Sequence, residues 1–115
     1  MIQRTYRVIQ IGTKDELLIE FKDKKYEILS TFLDCDVAQF EDWIKSDFDK
    51  VLSGEVEYQE CNGNVCCAEI SPKTTKIYDN LAEDGMGNWC EVDTKELRSL
   101  IDEWCNELKK ITEKT

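Results

Sequence analysis

The spacing of hydrophobic residues changes period twice along the chain. Tyr6–Ile11 is rich in β-branched residues, and in "ELLIEFK" Leu17, Ile19 and Phe21 alternate with Leu18 and Glu20. In "YEILSTFL" Tyr26, Ile28 and Phe32 fall on one face of an extended segment, so the first third is expected to form three strands. The breaks at Gly12–Asp15 and Asp23–Lys25 are short enough for hairpins. In "DVAQFEDWIKSDFDKVLSG" the spacing becomes helical. Val37, Phe40, Ile44, Phe48 and Val51 recur every three or four residues, flanked by Trp43 and Leu52. Asp36 is the expected N-cap with Gln39 as its capping-box partner, and Gly54 the left-handed stop.

Strands return in "EVEYQEC" and "NVCCAEIS", joined around Asn62-Gly63, and in "TTKIYDNL" after Ser71-Pro72. A loop, "AEDGMGNWCEV", leads to a final helix. Its capping box is Asp93 and Glu96, and its stripe is Leu97, Leu100, Ile101, Trp104, Leu108 and Ile111. The order is βββαβββα. The expected fold is α+β: an antiparallel sheet of about six strands with two amphipathic helices on one face, in a single globular domain over residues 1–115.

The stretch "ECNGNVCCAEI" places Cys61, Cys66 and Cys67 close together. A two-residue Asn62-Gly63 loop would put Val56 and Tyr58 on the face of Val65 and Cys67. A three-residue loop instead gathers Val56, Tyr58, Cys66, Ala68 and Ile70 on one face, and Glu57, Gln59, Val65, Cys67 and Glu69 on the other. The second register separates apolar from acidic residues better and is the expected one. Cys66 is then core, with Cys61 and Cys67 toward the outer side.

The six cysteines include no C-x-x-C, and the chain has no histidine. Structural zinc needs two close ligand pairs, so no metal site is expected. A nucleophilic thiol needs a base or cationic surroundings. Glu60 and Glu69 oppose thiolate formation near Cys61–Cys67, and Glu91 and Asp93 oppose it at Cys90. The sulfur is read as packing. "NLAEDGMGNWCE" imitates a calcium loop at Asn80, Asp84, Gly85 and Glu91, but Ala82 stands at a ligand position and no helix precedes it. No phosphate loop, hydrolase serine motif or basic stripe is present. No catalytic residue and no cofactor are expected.

Composition narrows the function further. With 41% hydrophobic and 35% charged residues the chain is globular in type, and the expected core needs neither disulfide nor metal. No apolar run approaches the roughly 20 residues of a membrane span, and the N-terminus does not look like a signal peptide, so the cytoplasm is the expected location. The net charge of −10 is concentrated in the middle. Residues 34–54 carry two basic and six acidic side chains, and residues 55–93 carry two and nine. Such a field repels nucleic acid and anionic membrane and attracts cationic proteins or metal ions; alternatively, it serves only solubility. Met86 and Trp89, set among Glu83, Asp84 and Glu91, suit a protein contact, unless Trp89 folds back over the sheet edge.

Size, acidity, absence of an active-site motif and a compact α+β build make the chain similar to bacterial immunity proteins, including those of contact-dependent growth inhibition systems. The resemblance implies a non-enzymatic inhibitor that covers the active site or an exosite of a cognate toxin with a basic surface, often a nuclease. It implies no nucleic-acid or membrane partner, and a monomer or weak dimer. The candidate contact residues are Glu57, Gln59, Glu69, Glu83, Asp84, Trp89 and Glu91, with Asp42 and Asp49 on the first helix as second choice. A metal- or thiol-dependent protein and an acidic subunit of a housekeeping complex are the alternatives.

Overall fold

The computed structural model describes residues 2–79 and 89–113, except for the side chains of 112 and 113. The chain is α+β, as expected, but its strands divide into two sheets. The first is a two-stranded ribbon of β1 (Arg4–Ile11) and β2 (Lys14–Phe21), with Ile11 opposite Lys14. Gly12 takes the positive φ, +65°, that closes its two-residue loop. Leu17 and Ile19 are buried, whereas Val8 and Ile11 are exposed.

The expected third strand is helical. A 3₁₀ turn, Lys24–Tyr26, is capped by Asp23 Oδ1 accepting from Lys25 N–H at 3.0 Å. It runs into α1 (Glu27–Thr31) and then a π-type turn over Phe32–Val37, where Ala38 N–H reaches back five residues to Leu33 O. The physical reason lies in the same residues. Ile28, Leu29, Phe32, Leu33 and Val37 are all buried. Their spacing of one, three, one and four is helical, and it outweighs the alternation of Tyr26, Ile28 and Phe32.

The first expected helix begins later than Asp36: α2 spans Glu41–Leu52, with Phe40 rather than Asp36 at its N-cap position. Of its expected apolar stripe, Val37 and Phe40 precede the helix, and the other three residues lie on it. Ile44, Phe48 and Val51 are buried, and Gly54 closes the end at φ +83°. The last helix, α3 (Thr94–Glu113), starts at the predicted cap, Glu96 N–H donating to Asp93 Oδ1 at 2.9 Å. The Glu96 carboxylate accepts from Ile2 N–H, which ties the start of the chain to this helix.

The second sheet is an antiparallel meander of β3 (Gln59–Asn62), β4 (Cys66–Ile70), β5 (Thr74–Asp79) and β6 (Trp89–Asp93). The helices cover one face of it. There Cys61, Cys66, Ala68, Ile70, Ile77, Cys90 and Val92 join Leu29, Phe32, Ile44, Phe48, Leu97, Leu100, Ile101 and Trp104 in one core. Buried Thr94 fastens α3 to this sheet, its Oγ1 donating to Ser71 O at 2.6 Å and lying 2.8 Å from Thr75 Oγ1.

The β3–β4 hairpin differs from its expected register. Cys61 pairs with Ala68 and Asn62 with Cys67, and Gly63 N–H donates to Cys66 O at 2.9 Å, so the two-residue loop is Asn64-Val65. Among the described residues none other than glycine has positive φ, so this loop is not the mirror-image turn that Asn-Gly would supply. Asp36 supplies the replacement. Its fully buried carboxylate accepts from Asn64 N–H at 2.6 Å, Val65 N–H at 3.1 Å and Cys66 N–H at 2.8 Å. Gly63 is required by space rather than by φ: a Cβ there would lie 2.4 Å from Asp36 Cγ. The predicted helix cap therefore caps a hairpin instead. With the shift, Cys61 and Gln59 join the inner side, Tyr58 moves out, and Cys66, Ala68 and Ile70 remain core as expected.

Replacing Asp36 by Ala leaves three amide donors without their acceptor, at about 1 kcal/mol or more each. Urea unfolding should show a loss of about 3 kcal/mol or more for D36A. G63A should also destabilise, yet cost far less in the D36A background, because the added methyl then meets no carboxylate. Additive losses would show that the two positions are not coupled.

Candidate protein-binding surface

Strand alternation decides what the uncovered face of the meander presents. One cross-strand row runs Glu60, Glu69, Lys76, Glu91; the next runs Asn62, Cys67, Tyr78, Trp89. Tyr58, just before β3, extends the surface and donates its hydroxyl to Glu60 Oε1 at 2.9 Å. Tyr58 and Trp89 are nearly half exposed, at 45% and 48%. Aromatic rings thus lie beside three glutamates on one sheet face.

Of the sequence-derived candidates, Glu69, Trp89 and Glu91 meet on this face. Trp89 does not fold back as buried cover. Glu57 is exposed in the loop before β3, whereas Gln59 is half-buried opposite Ile70 and belongs to the inner side. Glu83 and Asp84, with Met86 and most of the calcium-like loop, lie outside the described residues. Asp42 and Asp49 are exposed on α2, on the helical side of the molecule. Asp49 is engaged there by Arg98, with Nε–Oδ1 2.9 Å and Nη2–Oδ2 3.3 Å. Sequence reasoning missed Tyr58, Glu60, Lys76 and Tyr78 as members of the surface. The alternation Tyr58-x-Glu60-x-Asn62 carried the signal, but only for a register that turns Cys61 inward.

The internal ion pairs gather away from this face. Lys45 binds Glu41 at 2.7 Å and Asp102 at 3.3 Å, Arg98 binds Asp102 at 2.7 Å, and Arg4 binds Glu103 at 2.6 Å. The hydrogen bond from Lys45 holds the Glu41 carboxyl below its ordinary range, and that from Arg4 does the same for Glu103. Among the described residues none of Glu60, Glu69 and Glu91 takes part in an ion pair. Glu60 and Glu69 stand directly opposite each other across β3 and β4, a like-charge placement that works against folding. Lys76 is flanked by Glu69 and Glu91, yet its ammonium lies over the Trp89 ring, 4.7 Å from the centroid.

The thiols form no site of their own. Burial, then the charge of Asp47, pushes Cys61 up to about 12; burial and Asp36 push Cys66 up to about 12. Burial raises Cys90 and Cys105 to about 11. Among the described residues no cluster of three or more Cys, Asp or Glu is arranged as metal ligands would be. Asp47 is buried beside Cys61, and its charge adds to the larger effect of burial in keeping that thiol protonated.

Two pH limits follow. Stability held by Glu41 and Glu103 is present above their unfolded value of about 4.5 and is lost as pH falls through their lowered folded values. The urea midpoint should drop on that side, and less steeply in E103Q. Stability held by the protonated thiols is present below pH 9 and lost as pH rises toward 11–12. At pH 8 a disulfide reagent should find the native thiols of Cys61, Cys66, Cys90 and Cys105 unreactive within minutes, and half-exposed Cys35 the first to react.

No helix of the described residues is long and apolar enough to cross a membrane. No family model and no solved structure matches the chain. A protein of Bacillus cereus named "Immunity protein" is 43% identical over 86 residues, covering 75% of this chain and 74% of its own. At that identity and coverage the chain belongs to the immunity-protein family that the Bacillus cereus protein represents.

Proposed function

We propose that this chain is a non-enzymatic immunity protein that binds a cognate toxin with a basic surface, a nuclease in the preferred case, and blocks it. Kinship with a protein named for immunity supports the toxin-neutralising role. The observation that carries the electrostatic part is the uncovered sheet face, where Glu60, Glu69 and Glu91 keep their charge free of internal ion pairs beside Tyr58, Tyr78 and Trp89. A nuclease presents lysines and arginines to phosphate, and carboxylates set among aromatic anchors complement such a surface. Glu69, Trp89 and Glu91 are the central contacts. Glu57 stands at the margin, and Glu83 and Asp84 extend the acidic run in sequence. Gln59, Asp42 and Asp49 become secondary: the first faces inward, and the others lie on the helical side, Asp49 already holding Arg98. The protein acts in the cytoplasm as a monomer or weak dimer, without cofactor, nucleic acid or membrane.

Co-expression with the basic product of the adjacent gene should yield a co-purifying complex and rescue growth. Raising NaCl from low to high concentration should slow association by about 10-fold or more. E69Q/E91Q should act chiefly on the association rate, and W89A should weaken the complex by about 2 kcal/mol or more. Salt-independent binding, or full protection by all these variants, would refute the assignment of the surface.

A further inference from the structure

Lys76 is one of two basic residues between Glu55 and Asp93, and it sits at the centre of the uncovered face. Register places Glu69 on one side of it and Glu91 on the other. It pairs with neither. Its ammonium rests on the Trp89 ring at 4.7 Å, and Trp89 stays about half exposed, at 48%. The face thus contains a small subsite for a cation, made of an aromatic ring and two flanking carboxylates, and the free protein fills it with its own side chain.

We infer that Lys76 is a resident stand-in for the partner: an arginine of the toxin takes the Trp89 ring and the carboxylates of Glu69 and Glu91, and Lys76 leaves the ring. The inference rests on the toxin-binding function proposed above and names the group recognised by that surface. Arginine is the better occupant on physical grounds. Its planar guanidinium stacks on an aromatic face while its N–H fork engages carboxylates, and it is more weakly hydrated than an ammonium. Lysine, with a flexible four-carbon stem, is easily displaced from a solvent-exposed ring. A cation kept here also limits the mutual repulsion of the glutamates in the free protein. The face therefore admits a partner only if that partner supplies a better cation, which makes Lys76 a determinant of specificity.

The test follows the ε-methylene protons of Lys76 by NMR in the full chain. In the free protein they should be shifted upfield by the Trp89 ring current, and W89L should abolish the shift. On titration with an inactive variant of the adjacent gene's toxin, the signal should return to the position seen in W89L. In binding assays K76T, which removes the charge and is too short to cover the ring, should bind about 3- to 10-fold tighter than wild type. K76R, which keeps a resident cation, should show no such gain, and W89L should bind at least 10-fold more weakly. Circular dichroism checks that each variant is folded. A complex that forms with the Lys76 shift unchanged, a free protein without that shift, or K76T binding no tighter than wild type would each overturn this inference alone. No complex with either wild type or K76T would overturn the toxin-binding function and this inference with it.

Discussion

The buried Asp36 carboxylate is the constraint on which the rest of this molecule depends. It lies in the π-type turn after α1 and accepts three backbone N–H groups from the β3–β4 loop, joining segments 28 to 30 residues apart in sequence. A carboxylate in the interior is tolerable only when its oxygens are hydrogen-bonded, and here the donors come from a loop that lacks the favoured hairpin geometry. Each party supplies what the other lacks. The absence of a side chain at Gly63 lets them approach.

That anchor propagates to the surface through register. Pairing Cys61 with Ala68 sends Cys61 into the core and leaves Glu60 and Glu69 facing outward together. A slip of one residue in β3 would turn Glu60 inward and Cys61 outward. The outward Glu60 and the buried, protonated Cys61 are therefore two consequences of one hydrogen-bonded turn. In the same way, basic residues of α2 and α3 serve the packing of the helical side, where Lys45 and Arg98 bridge the helices through Glu41, Asp49 and Asp102. The open sheet face is left with Lys76 alone among its central residues as a counter-charge.

An opposed Glu60–Glu69 pair is a cost to the free protein, and natural proteins retain such costs where a surface has work to do. The aromatic residues beside it argue in the same direction. Large rings held on rigid strands lose little conformational freedom on binding. Membership of the immunity-protein family gives these features a common purpose in the function proposed above.

Much of this was legible in the residues themselves. The stripes of α2 and α3, the stop at Gly54, the cap at Asp93, five of the six strands and the acidic middle all follow from local spacing and composition, because each is set by residues within a few positions of one another; β6 (Trp89–Asp93) instead falls in a stretch read as a loop. The helical nature of 27–37 was present too, in the spacing of Ile28, Leu29, Phe32, Leu33 and Val37, but a shorter window favoured alternation. Of the surface, Glu69, Trp89 and Glu91 were found from sequence. Tyr58, Glu60, Lys76 and Tyr78 were not, and the division into two sheets was also invisible. The side taken by Tyr58 and Glu60 depended on which way the β3–β4 hairpin faces, and that of Lys76 and Tyr78 on the pairing of β5 with β4. Asn62-Gly63 pointed to one turn, while Asp36, far away in the chain, imposed another. Local pattern carries period but not parity; parity was decided by a tertiary contact between a buried carboxylate and three backbone amides.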